Sequence, residues 1–301
     1  MKKFPVVLLV VATLSLAAAE ASAQGGLTRI ADNVYAYVGA RNASPSTSFG
    51  ANAGIVIGND GIAVIDTLVS SKEAKRFIQD IRAVSQKPIK YVIDTHEHLD
   101  HAFGNSEFAR LGATIVSHAN CRKNMIANAE TILGNAKGYG LSEDDMKGTQ
   151  IAYPALSFRG AMEIDLGGQK IELIDPGPSH TNGSILVFLP DRKILFAGDV
   201  LFTDYHPFVG DGSIEEWTRV LDRIRAMDVE TIVPGHGPLS GKKDIAAMKD
   251  YLVAFDAKAK ELCAKSSDAA SIKSELVKAL PARAEGDGLI DANLQMKYLR
   301  K

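Results

Sequence analysis

The sequence predicts a layered α/β (α+β) domain. Strand-like and helix-like runs alternate along most of the 301 residues, a tight hairpin signal stands near the amino end, and everything from Lys242 onward is patterned as helix without strands. Alternation of this kind builds sheets covered by helices, and the strand-free tail predicts a helical carboxy-terminal extension.

The first residues read as an address label. Lys2 and Lys3 precede the apolar run Val6 to Val11, which thins out through Leu16, and Ala21-Ser22-Ala23 supplies a small-x-small cleavage site. This predicts a signal peptide over residues 1–23, cleaved after Ala23, and a periplasmic or secreted mature protein. Residues 24–240 then form the main domain and 241–301 the extension.

Val34-Tyr35-Ala36-Tyr37-Val38 and Gly54-Ile55-Val56-Ile57 flank a polar loop at 41–48, and Gly58-Asn59-Asp60-Gly61 turns the chain into a strand at 62–66, so the fold starts as antiparallel sheet. Ser70 or Ser71 caps a helix reaching about Val84, with Glu73 in its first turn, and Pro88 introduces a strand at 89–93. A helix is expected from His101 to Gly112, a strand at 113–116 and a helix at 120–133. The charged, glycine-rich stretch 134–150 reads as a surface loop or partly mobile insertion. Short strands follow at 170–174, 184–189 and 193–196, the last two joined by Pro190-Asp191-Arg192. A helix at 214–227 carries Trp217, Val220, Leu221 and Ile224 at helical spacing, a core face. Residues 281–288 break the helical tail once.

Net charge is −2 and becomes −3 once Lys2, Lys3 and Glu20 leave with the signal peptide, so nothing favours nucleic acid or an anionic membrane. No later apolar run approaches the roughly 18–20 residues of a membrane span. The partner this leaves is a small-molecule substrate; oligomeric state is open. Cys121 and Cys263 are the only cysteines and make no disulfide framework; export permits a bridge, but two unpaired thiols is the plainer expectation.

Chemistry concentrates in seven residues. Thr95-His96-Glu97-His98-Leu99-Asp100-His101 is followed by His180 in Pro178-Ser179-His180-Thr181, Asp199 in Gly198-Asp199 and His236 in Pro234-Gly235-His236-Gly237. Five of the seven histidines fall in these runs, leaving His118 and His206. Zinc takes imidazole nitrogen and carboxylate oxygen at about 2.0–2.2 Å, and a catalytic site keeps a position open for water. His96 and His98 point the same way on an extended backbone. Asp100 and His101 are adjacent, so the loop must turn between Leu99 and His101, which lets a second metal sit beside the first. His180 completes the first site, His236 the second, and Asp199 bridges, each expected in a loop after a strand. The set predicts two Zn2+ per chain. Asp66, Asp94 and Thr95 are candidates for holding the imidazoles in place; Glu97 receives no role. The loops at 41–48 and 205–212 are candidates for flanking the metals.

On these residues the chain resembles the metallo-β-lactamase fold superfamily of hydrolases, whose His-x-His-x-Asp-His run matches His96 to His101 and whose later histidine, Gly-Asp and Gly-His-Gly positions match His180, Asp199 and His236. The resemblance covers roughly residues 28–240, including Asn52-Ala53-Gly54 and Val64-Ile65-Asp66-Thr67, and implies a four-layer αββα sandwich with the metals at one edge. It implies hydrolysis by a metal-activated hydroxide on a carbonyl carbon, with Asp100 orienting that hydroxide as well as binding metal; paired metals lower the pKa of bound water from 15.7 toward about 7. The tail, with Ala292-Asn293 and Tyr298, resembles exported members linked to sulfur-oxidation and quinoprotein pathways. Where cysteine-containing lactamases of the family place a cysteine and a lysine, this chain has Asp199 and Phe202, which weakens efficient β-lactam hydrolysis and leaves weak activity open. The seven ligands are those of a glyoxalase II-like thioesterase, though the basic tail of that enzyme is not evident in residues 289–301. A nuclease of the family would add basic surface that the charge disfavours. A non-enzyme zinc-binding accessory module of a periplasmic redox pathway is the remaining alternative.

Overall fold

The computed structural model describes residues 26–39 and 43–299. The expected signal peptide, position 40 and positions 41 and 42 of the first candidate loop lie outside them. The strands β1 (Gly26–Ala31), β2 (Val34–Val38), β3 (Ala53–Ile57) and β4 (Ile62–Ile65) form an antiparallel meander. The turn between β3 and β4 closes with Gly58 N donating to Gly61 O at 2.9 Å. After helix α1 (Ser71–Val84), strand β5 (Ile89–Ile93) pairs parallel with β4. The short helices α2 (Leu99–Ala102) and α3 (Asn105–Ala109) lead to β6 (Thr114–His118), helix α4 (Ala119–Gly134) and β7 (Leu156–Phe158), closing a seven-stranded sheet in sequence order.

The second sheet has five strands in the order β12-β11-β10-β9-β8. They are β8 (Ala161–Asp165), β9 (Lys170–Ile174), β10 (Leu186–Leu189), β11 (Ile194–Phe202) and, after helix α5 (Ile214–Ala226), β12 (Thr231–His236). Helices α6 (Lys242–Cys263), α7 (Ala269–Ala279) and α8 (Asp287–Asn293) finish the chain.

Strand side chains alternate between two faces, and here both faces are buried. In β4, Ile62 and Val64 pack toward α1 and α3, while Ala63 and Ile65 pack between the sheets. In β11, Ile194 and Phe196 face the first sheet, whereas Leu195 and Ala197 face α5 and α6. The result is a four-layer αββα sandwich. Unbroken apolar runs such as Ile62 to Ile65 belong to strands covered on both sides. Ser70 caps α1 by accepting from Glu73 N, and Phe77 and Ile81 on its inner face are fully buried.

Three expectations need correction. The helix expected over 101–112 is two short helices, because the chain turns at Phe103-Gly104, where Gly104 lies hard against Thr67 and a Cβ would collide with it. The helical tail breaks twice, at 264–268 as well as 280–286, since Ser266 and Asp268 close a turn and Asp268 recaps α7. Asp199 lies inside β11 and His236 ends β12, rather than in loops, because parallel pairing with β12 extends β11 beyond its apolar start. Both cysteines are unpaired; Cys121 is buried in the first turn of α4 and Cys263 ends α6. The stretch 134–150 is mostly exposed, with Leu141 anchored in the core against Val69.

Candidate metal centre

The site forms where β4, β5, β11 and β12 end along one edge of the sandwich. His96 and His98 follow β5, and His98 caps α2, whose first turn carries Asp100 and His101. That turn is the one required between Leu99 and His101. Asp199 sits in a stretch of β11 where the ladder with β12 slips on both sides of Gly198. Gly198 has a φ of +50°, and a Cβ on Gly235 would collide with Asp199 Oδ1, so both glycines make room for this carboxylate.

All seven predicted residues converge, in two groups that could each hold a metal ion. His96, His98, His180 and Asp199 form one, and Asp100, His101 and His236 the other, with the candidate ligand atoms of each group within 4.8 Å of one another. His180 Nε2 and His98 Nδ1 stand 2.9 Å apart, and His236 Nε2 is 3.3 Å from Asp100 Oδ2. Asp199 faces both groups: its Oδ2 is 3.3 Å from His180 Nε2 and 3.7 Å from His96 Nε2, while its Oδ1 is 3.0 Å from His101 Nε2 and 3.5 Å from His236 Nε2.

The nitrogen of each ring that faces away is held from outside. His96 Nδ1 donates to Thr95 Oγ1 at 3.1 Å, and Thr95 Oγ1 donates onward to Asp66 Oδ2 at 2.8 Å. His101 Nδ1 donates to the same Asp66 Oδ2 at 2.8 Å, and Thr95 N to Asp66 Oδ1 at 2.8 Å. His180 Nδ1 donates to Phe208 O and His236 Nδ1 to Phe49 O, each at 3.1 Å, and His98 Nε2 to Asp211 Oδ2 at 3.0 Å. Such outer bonds fix the tautomer so that the inward nitrogen presents a lone pair. Aromatic rings pin the imidazoles further: Phe202 stacks on His236 at 5.0 Å and Trp217 meets His180 edge-on at 5.4 Å.

A divalent metal fits this set. His96 Nε2, His101 Nε2 and Asp199 Oδ1 are buried with no partner in hydrogen-bond geometry, although the last two stand 3.0 Å apart. Buried polar atoms seldom stay unpaired, and all three aim into the shared space with the donor chemistry that zinc and its neighbours take. The site's charges say the same. Burial drives His96 well below the usual imidazole range and takes His180 to about 3, so both rings are neutral. Burial works against charge on His101 and His236 too, but Asp199 and Asp100 outweigh it, holding His101 well up and His236 at about 9. The two carboxylates stay ionised despite burial, because these rings surround them. They demand positive charge, met by imidazolium protons or by metal that displaces them.

Of the residues expected to steady the imidazoles, Asp66 and Thr95 do so. Asp94 instead accepts from Asn105 Nδ2 at 2.9 Å and touches no imidazole. Asp211 and the carbonyls of Phe49 and Phe208 were not legible: a lone aspartate between glycines carries no signal, and a carbonyl none at all. Glu97, left without a role, accepts from Asn124 and from Thr181 Oγ1 beside the site. Phe49, the residue just after the first candidate loop, bears on the site: its φ of +54° aims its carbonyl at His236 and at the Tyr205 hydroxyl. His206 turns away, toward Tyr251 and Asp287.

Five histidines and two carboxylates gathered at the edge of an αββα sandwich define a metal-binding hydrolase. The sequence comparisons agree: the profile of the metallo-beta-lactamase superfamily matches residues 47–236, and the chain belongs to that superfamily. It is 25% identical over 231 residues to the metallo-beta-lactamase type 2 of Bacteroides fragilis, covering 75% of this chain and 84% of the relative. It is 26% identical over 220 residues to a linear primary-alkylsulfatase of Pseudomonas sp. (strain ATCC 19151), of which the match spans 41%. A match to the 2,4-dinitroanisole O-demethylase subunit alpha of Nocardioides sp. (strain JS1661) spans half of that protein at 27% identity. Among solved structures, a metallo-beta-lactamase from Pontibacter korlensis superposes with a TM-score of 0.63 over 76% of this chain and 99% of its own, at 21% identity, a likeness of fold. No helix among the described residues is long and apolar enough to cross a membrane.

Proposed function

We propose that the protein is an exported hydrolase that uses two zinc ions to cleave a carbonyl substrate, an ester, thioester or cyclic amide. His96, His98 and His180 hold the first ion, Asp100, His101 and His236 the second, and Asp199 lies between. When bound, such metals supply Lewis acidity and acidify a coordinated water. The chain's residues do the rest. Asp66 and Thr95 lock two imidazoles in the metal-binding tautomer, Asp100 stands where an attacking water would be oriented, and Phe202 and Trp217 keep the inner face of the site apolar. Export rests on the segment cleaved after Ala23, with residues 24–240 carrying the site and 241–301 the extension.

The observation that carries this reading is the position of Asp199, with one oxygen toward each group of ligands. Chelation should abolish turnover and zinc should restore it. Asp199→Ala should lower bound zinc from two ions toward one by metal analysis; unchanged stoichiometry removes the bridge. A panel of lactam, thioester, lactone, phosphodiester and alkyl sulfate substrates identifies the bond, and a zinc-loaded protein inert toward all of them would favour the accessory-module alternative. Turnover of the thioester above the lactam would favour the glyoxalase II-like alternative, since Phe202 occupies the place of the carboxylate-gripping lysine. Amino-terminal sequencing of protein recovered outside the cytoplasm tests the cleavage.

A further inference from the structure

A cavity of about 270 Å³ opens beside the metal centre, with His98 and Asp211 at its inner end. Glu97 forms one wall, from its place between two site histidines. Asn182, two residues beyond His180, forms another, and Asn124 and Asn128 stand one above the other on α4, beside the apolar side chain of Met125. The cavity therefore borders the metal centre at His98, and a substituent reaching past that imidazole from a carbonyl at the metals would meet it.

The hydrogen bonds decide what that group is. Asn124 Nδ2 gives its two protons to Glu97 Oε1 and, at 2.9 Å, to Asn182 Oδ1. Thr181 Oγ1 donates to the other Glu97 oxygen at 3.1 Å. Asp211 spends one oxygen on His98 and keeps one. The wall thus offers two carboxylates and the side-chain amides of Asn124, Asn128 and Asn182, and no lysine or arginine lines it among the described residues. An ammonium or hydroxyl group gains charge-assisted bonds to such a wall. A carboxylate there is repelled by like charge, which neutral amide donors do not offset.

We infer that this cavity is a substrate subsite for a hydrogen-bond-donating group, an ammonium or hydroxyl substituent, and that it rejects substituents ending in carboxylate. This rests on the hydrolase reading above and supplies what that reading lacks, a class of substrate.

The test uses metal-loaded protein and p-nitrophenyl esters whose equal-length acyl chains end in ammonium, hydroxyl, methyl or carboxylate. The expected kcat/KM falls in that order, with ammonium over carboxylate by about tenfold or more. The corresponding methyl ketones, which cannot be hydrolysed, should bind in the same order by calorimetry. Glu97→Gln should shrink the ammonium-to-carboxylate ratio, and Asn128→Lys, on the exposed side of α4, should bring it below one. A ratio within twofold of unity in the parent protein, or one that Asn128→Lys leaves unchanged, overturns the subsite. If no ester, thioester or lactam is turned over, the hydrolase reading fails and the ketone affinities judge the subsite by themselves.

Discussion

Asp66 serves both groups of ligands, so Asp66→Asn should weaken both metals at once. The aspartate accepts three hydrogen bonds of 2.8 Å: from His101 Nδ1, from Thr95 Oγ1 and from Thr95 N. An asparagine has the same shape and tolerates the residue's φ of +60°, so the backbone is left alone. Its Oδ1 can keep the bond from Thr95 N, but its NH2 group then faces His101 Nδ1 and the Thr95 hydroxyl. To accept from that NH2, His101 must move its proton to Nε2. Thr95 must turn and donate to His96 Nδ1, which drives the His96 proton to Nε2 as well. Both protons then cover lone pairs that face the metals. Loss of such an outer partner typically costs 10–100-fold in metal affinity, about 1.4–2.8 kcal/mol, and here the loss falls on each ion. Competition against a chromophoric chelator measures the two dissociation constants, with circular dichroism and thermal melting to confirm the fold. Constants within about twofold of the parent would refute the reasoning, and weakening of one ion alone would break the relay through Thr95 to His96.

Among the described ligands Asp211 hydrogen-bonds His98 alone, so Asp211→Asn should weaken the first ion by about tenfold and leave the second unchanged in the same titration. His101 and His236 hold protons at neutral pH without metal, and Asp211 raises His98 against its burial, so zinc binding at pH 7 should release at least two protons per chain, counted by calorimetry in buffers of different ionisation enthalpy. Their raised pKa values also fix the pH dependence of metal-free stability. The His236 contribution is complete below the ordinary imidazole value of 6.5 and is lost as pH rises through about 9, and that of His101 is lost above 6.5 as well, so urea midpoints should fall as pH rises from 6.5; a flat profile contradicts the charge balance. Asn52 ties the β12 end to the loop before β3, donating to Pro234 O and Gly237 O at 2.8 Å and accepting from Gly39 N at 2.7 Å. Asn52→Ala leaves three backbone groups unpaired and should cost about 2–4 kcal/mol in urea unfolding; a cost under about 0.5 kcal/mol would show that water replaces them.

Fold class, most strand and helix positions and the seven residues that the fold gathers at one edge are legible in the sequence alone. The reasons are local. Apolar runs covered on both faces mark buried strands, Ser70 and Glu73 mark a helix start, and imidazole and carboxylate are the side chains that metals take. Tertiary structure decided what depends on pairing between distant segments. Asp199 reads as a loop residue beyond a strand in sequence, and only the partnership of β11 with β12, eased by Gly198 and Gly235, keeps it in the sheet with an oxygen toward each group. The outer bonds from Asp211, Phe49 and Phe208 and the polar cavity beside Glu97 join residues far apart in sequence. Two of those partners are backbone carbonyls, identical at every position until the fold aims them.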